Sequence, residues 1–176
     1  MESRIPEHHP LRQLFGTLAE KAFTEKLGWA DFNVSEYVSK LLVDFTHTDQ
    51  LNRIKNARGE RVEALVELLY ESEVTHEAGS FEREREVHRH IGDFTLFWTG
   101  VYPEHLRPRA GRVSRLEVYL QEGKRSYSVA SELTREHERP PAEVLQQLSE
   151  QFEYCVHGLR LVRASWEEMA NRPGHN

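Results

Sequence analysis

Val87-His88-Arg89-His90-Ile91-Gly92-Asp93-Phe94-Thr95-Leu96-Phe97-Trp98-Thr99-Gly100-Val101 is the stretch on which the fold turns. Within it Val87, Ile91, Phe94, Trp98 and Val101 recur at alternating steps of four and three, the spacing that keeps one helix facing another along its length. Ile91, Phe94, Leu96, Phe97, Trp98 and Val101 cover most of the circumference, and a helix apolar on every side is buried on every side. The pattern predicts a central fourth helix. It opens near Ser80, passes through a wet segment of alternating charge from Glu82 to Arg89, and ends near Tyr102 before Pro103.

Downstream, Pro103, Pro108 and Gly111 mark a loop over residues 103–111. A fifth helix is expected from Arg112 to Leu133, with Val113, Leu116, Leu120, Gly123, Tyr127 and Ala130 on one stripe. Pro140 and Pro141 open a sixth, where proline suits the first turn. Leu145, Leu148, Phe152, Cys155, Leu159, Val162, Trp166 and Met169 carry it unbroken to about Ala170.

Upstream, Leu11, Leu14, Phe15, Leu18 and Ala22 define a first helix to Leu27, closed by Gly28. Val34, Tyr37, Val38, Leu41, Leu42 and Phe45 define a second, with Ser35 as its N-cap. A short helical piece with Leu51 and Ile54 stops at Gly59. A third helix, with Val62, Leu65, Val66 and Leu69, ends near Ser72, and residues 73–80 read as a loop. No segment sustains a period of two. The expectation is an all-α protein: an up-and-down antiparallel bundle of about six helices. It forms a single domain over 10–172 behind a flexible tail over 1–9. Gly92, Gly100 and Gly123 fall inside helices, where they predict close backbone approach or room for a ligand.

The 176 residues are enough for one domain with its own core. A net charge of −6 and pI near 5.9 argue against general affinity for nucleic acid. Cys155 is the only cysteine, which excludes an intramolecular disulfide and any zinc site built on several thiolates. The polar start, Met1 to Pro10, has no apolar signal core, and the apolar run Ile91–Tyr102 is too short to span a bilayer. A cytoplasmic, non-membrane protein is expected.

The chemistry-bearing residues gather beside the apolar stripe of the fourth helix. Glu86, His90, Asp93 and Phe97 recur on one flank. Asp93 sits in the most apolar window of the chain, and a carboxylate there needs a partner. His90 one turn earlier, and Tyr119 and Tyr127 on the fifth helix, are the expected partners. The set reads as a polar network that fixes helix register, as a small-molecule or proton-transfer site between the fourth and fifth helices, or as no site at all, with Asp93 facing water. A di-metal centre needs inward Glu and Glu-x-x-His on several helices. Glu73–His76 and Asp44–His47 lie outside the seams, so no metal site is expected, and no cofactor is identified. Haem ligation is left with His90 alone. Cys155 lies on a core stripe, which suits an inert thiol. No Gly-x-Ser-x-Gly, phosphate loop or dinucleotide fingerprint occurs.

Two resemblances can be drawn. His90-Ile-Gly-Asp-Phe-Thr-Leu-Phe-Trp-Thr-Gly100, followed by Val118-Tyr-Leu-Gln-Glu-Gly-Lys-Arg-Ser-Tyr127, resembles a pattern in bacterial helical proteins without an assigned activity. In that pattern a Gly-Asp and Leu-Phe helix precedes a Tyr, Gly and Tyr helix. The resemblance implies a bacterial origin and no particular chemistry. The Arg, four residues, His spacing of Arg83–His88 and Arg85–His90 is similar to that of HEPN ribonucleases, although Glu84 and Glu86 depart from their usual polar neutral or His neighbour. That resemblance implies metal-independent RNA cleavage, with His90 as acid or base and Arg85 on the phosphorane. The leading expectation is a non-catalytic regulatory or accessory protein that binds a protein partner, a small molecule or a second copy of itself. Catalytic residues remain unassigned.

Overall fold

The computed structural model describes residues 10–26, 28, 32–46, 65–106 and 115–172. The tail expected over residues 1–9, the piece with Leu51 and Ile54, and the start of the third helix lie outside them. Among the described residues there are seven α-helices and no strand. They are α1 (Pro10–Glu20), α2 (Phe32–Thr46), α3 (Leu65–Glu77), α4 (Phe81–Val101), α5 (Arg115–Glu132), α6 (Ala142–Glu150) and α7 (Phe152–Ala170). A wider π-helical stretch, Lys21–Lys26, continues α1, and a 3-10 turn, Pro103–Leu106, follows α4. The all-α bundle expected from periodicity is the fold.

The central position of α4 follows from its sequence. It packs against α2, α3, α5 and α7, and Val87, Ile91 and Leu96 are wholly buried. Each such aliphatic side chain contributes about 1.5–3 kcal/mol by leaving water. Thr95 and Thr99, equally buried, bond back to the carbonyls of Ile91 and Gly92 and of Thr95 and Leu96, so no hydroxyl is stranded. Glu82 and Glu84 in the first turn face the positive end of the helix dipole. At the other end the Tyr102 N–H still reaches Trp98, and Pro103 stops the helix.

Three boundaries differ from expectation. The third helix runs on to Glu77, through most of the predicted loop. The Ser72 and Thr75 hydroxyls turn inward onto the carbonyls of Leu69, Glu71 and Ser72, and Gly79, at φ 71°, supplies the left-handed residue that ends the element. Ser35 lies inside α2, buried, because that helix starts at Phe32. The sixth predicted helix is two, broken at Gln151 (φ −107°, ψ 27°). The break lets α6 pack chiefly on α5 while α7 packs on α4 and α1. A single straight seam does not serve both sets of neighbours. No helix of the described residues is long and apolar enough to cross a membrane.

The interior glycines mark close approach. A Cβ on Gly92 would meet the Tyr127 ring at 2.6 Å, one on Gly100 would meet Leu159 at 2.6 Å, and one on Gly123 would meet Phe152 and Thr95 at 2.4 Å. These contacts are where α5 and α7 press against α4 and its neighbours.

Candidate functional site

Asp93 projects from α4 toward α2 and α5. Its Oδ1 accepts two hydrogen bonds, from the Tyr37 hydroxyl of α2 at 2.5 Å and from the Tyr127 hydroxyl of α5 at 2.7 Å. The two rings stand edge to face, 6.4 Å apart. Gly92 makes this possible. With no side chain there, the Tyr127 ring lies on the α4 backbone and delivers its hydroxyl to the next residue. Burial, and then the Asp93 charge, hold both tyrosine hydroxyls well above their ordinary value. Neither is a proton acceptor near neutral pH, and both act as donors. Arg89, one turn before Asp93, balances the charge. Burial lowers its guanidinium, but Tyr37, Asp93, Glu86 and Tyr127 together outweigh that and leave it raised. Hydrogen bonds to a charged acceptor contribute about 1.5–3 kcal/mol each, so this cluster ties three helices together.

Of the residues expected to form the site, Asp93 and Tyr127 are brought together. His90 is buried with its ring against Phe45 and Phe94. Tyr119 packs on Phe94 at 6.2 Å, its hydroxyl raised by burial. Glu86 lies 3.6 Å from Arg83 at the half-exposed start of α4. Phe97 turns the other way, toward Phe45, Trp98 and Tyr102. Tyr37 was missed, although a hydroxyl on the apolar stripe of the second helix invites the same reasoning that singled out Tyr127. Arg89 stands four residues before Asp93, the spacing that puts both side chains on one face of α4.

The arginine and histidine of the ribonuclease resemblance diverge. The Arg85 guanidinium donates to Thr134 Oγ1 and to the Pro140 carbonyl and sits near Glu138, pinning the α5–α6 connection. His90 faces α2. His88 is 5% exposed, 3.3 Å from the Ser126 hydroxyl, and burial followed by Arg125 pushes its imidazole down to about 4. It is neutral at physiological pH. Cys155 is buried and burial pushes its thiol up, away from the reactive thiolate. Among the described residues no three or more His, Cys, Asp or Glu are grouped to hold a metal ion.

On the Phe97 side of α4 lies a cavity of about 250 Å³. Phe15 of α1 contributes to its wall, with Leu42 and Phe45 of α2, Phe97, Trp98 and Val101 of α4, and Leu159, Val162, Arg163 and Trp166 of α7, together with Tyr102. These residues come from four helices and include none from α5, where the sequence suggested a pocket. Arg163 lies over the Tyr102 ring at 5.2 Å. Its Nη1 donates to the Val101 carbonyl at 2.6 Å and to Glu104 at 2.7 Å, and its Nε to Glu167 at 2.9 Å. Hydrogen bonds to Glu104 and Glu167 raise the guanidinium further above its usual range. The chain matches no family model, no curated protein and no solved structure.

Proposed function

We propose that this chain is a non-catalytic binding protein and that a small apolar molecule occupies the cavity walled by α1, α2, α4 and α7. The observation that carries this reading is the cavity itself, concave, largely aromatic and formed at a junction of four helices. The polar residues expected to do chemistry support the same reading by their commitments elsewhere. Asp93 accepts two tyrosines, Arg85 holds a connection, and Cys155 is packed away. A lone buried thiol suits the reducing cytoplasm.

The test is denaturation of the purified protein with and without toluene. Binding to the folded state raises the unfolding midpoint as ligand concentration passes Kd. Val101→Phe, which places a ring in the cavity, should lose the response and keep the helical signal. An unchanged wild-type midpoint at toluene saturation refutes the proposal.

A second reading, contact with another protein or a second copy of the chain, rests on the α3–α4 hairpin. Val66 and Tyr70, one turn apart on α3, are 77% and 65% exposed, and Phe81 at the start of α4 is 61% exposed. Apolar groups so displayed mark interaction surfaces. Sedimentation of wild type and Tyr70→Glu tests it, and a wild-type monomer at all concentrations removes the homodimer.

A further inference from the structure

We propose that Arg163 is the gate of the cavity: its side chain bridges α7 and the end of α4 at the edge where the lining meets water, and a ligand passes when that bridge is released. This rests on the binding reading above and adds how the site is entered.

Exposure locates the mouth. Phe15, Leu42, Phe45, Phe97, Leu159 and Val162 are buried parts of the wall. Trp98 and Tyr102 are half-buried, the Arg163 side chain is 28% exposed and Trp166 is 38% exposed. All four belong to the end of α4, to the residue after it or to α7, so among the described residues the lining reaches water along that edge.

What closes this edge differs from what closes the others. Phe45 against Phe97 at 5.0 Å joins α2 to α4, and Phe15 against Trp166 at 5.3 Å joins α1 to α7. Parting either pair would expose apolar surface, for which water offers nothing in return. Between α4 and α7, Leu159 is buried against Gly100. One turn later on α7 the closure is polar. Arg163 Nη1 donates to the Val101 carbonyl and to Glu104 in the turn after α4, Nε donates to Glu167, and the guanidinium lies over the Tyr102 ring.

Water can replace each of these hydrogen bonds, and an exposed ion pair contributes little to stability. The Glu104 carboxyl, held below its ordinary value chiefly by the Arg163 hydrogen bond, stays charged at neutral pH. The bridge is therefore ionic, cheap to open and sensitive to salt. The guanidinium rides on a flexible stem, so it can swing into water with no helix displaced.

Toluene exchange is measured by NMR at half saturation, through the Val162 methyl signals of the free and bound protein. In Arg163→Met, which keeps an apolar stem in the wall, the association and dissociation rates should both rise about tenfold, and Kd should stay within about threefold. A group that only packs against the ligand would change the dissociation rate and Kd together. Glu104→Gln, outside the lining, should raise both rates about threefold. Glu168→Gln removes an exposed α7 carboxylate that pairs with Arg172, and should leave both rates unchanged. Raising sodium chloride from about 0.05 M to about 0.5 M should speed exchange in wild type and not in Arg163→Met. The salt response of wild type and the Glu104→Gln rates decide the matter even if Arg163→Met fails to fold.

If toluene binds wild type and the rates stay unchanged with salt and in Glu104→Gln, the gate is overturned and the cavity remains a binding site. A change in Kd carried by the dissociation rate alone makes Arg163 part of the wall and overturns the gate as well. If toluene does not bind wild type, the binding function itself is refuted, and the gate with it.

Discussion

Gly92→Ala is the most direct probe of how α4 and α5 are joined. In an isolated helix the change would stabilise by about 1 kcal/mol, because alanine is the better helix former. Here the new Cβ would lie 2.6 Å from two atoms of the Tyr127 ring and 2.8 Å from a third. That ring is wholly buried, flanked by Tyr37 at 6.4 Å and Phe152 at 6.0 Å, and has nowhere to retreat without carrying its hydroxyl off Asp93. Overpacking costs about 1–3 kcal/mol. Losing a hydrogen bond to a charged acceptor adds about 1.5–3 kcal/mol. After the propensity gain is subtracted, a net loss of about 1.5–5 kcal/mol is expected. Urea denaturation followed by far-UV circular dichroism gives the value. Repeating it in a Tyr127→Phe background, which has no hydroxyl to displace, should cut the loss by about 1.5 kcal/mol or more. A Gly92→Ala protein as stable as wild type, or an equal loss in both backgrounds, would show that the glycine does not serve the Tyr127–Asp93 bond.

Asp93→Asn leaves an oxygen for the tyrosines but removes the charge that balances half-buried Arg89, so a loss of about 1–3 kcal/mol is expected in the same assay. His88 makes stability depend on pH. Its folded-state value, about 4, lies below the ordinary value of about 6.5, so the unfolded chain takes up the proton first as pH falls. Stability is complete above that ordinary value and falls by about 2 kcal/mol by pH 5, and His88→Gln should flatten that part of the profile. Arg85→Lys keeps the charge but loses the fork that spans Thr134 and Pro140; it should cost about 1.5–3 kcal/mol and speed amide exchange over residues 133–139. Tyr37→Phe, at a residue that does not itself line the cavity, should weaken toluene binding in calorimetry about threefold or more, and unchanged affinity would mean that α2 is held by other contacts.

The chain declares α4 and α5 openly. Their apolar spacing, the glycines that admit close neighbours, and the isolated aspartate between them are all local features, and the Asp93–Tyr127 pair follows from them. The break at Gln151 has no such signal. The apolar run from Leu145 to Trp166 continues through it, and neither glycine nor proline stands there. Its cause is tertiary, since α6 and α7 answer to different partners. The extension of α3 rests on Ser72 and Thr75 turning their hydroxyls inward, a choice that serine and threonine also make in loops. The cavity was invisible for a stronger reason. It lies where side chains from four separated segments fail to fill a junction, and no periodicity along one segment encodes a misfit among several.

The cavity and the Asp93 cluster are joined by two helices. On α4, Phe97 follows Asp93 by four residues, and on α2, Phe45 follows Tyr37 by eight. The same pair of helices is therefore bound at one end by a short, directional hydrogen bond and held apart at the other by space. Left to packing alone, an apolar gap closes as far as its walls can move, because unfilled volume forgoes on the order of a few kcal/mol of contact. A shift of α2 relative to α4 would strain the Tyr37–Asp93 hydrogen bond. Sliding along α4 would misalign the hydroxyl that now lies 2.5 Å from the carboxylate. The polar cluster thus opposes collapse of the apolar one. The polar cluster at Asp93 and the cavity of α1, α2, α4 and α7 are coupled through α2 and α4, although the cavity is not the space between the fourth and fifth helices to which the sequence pointed.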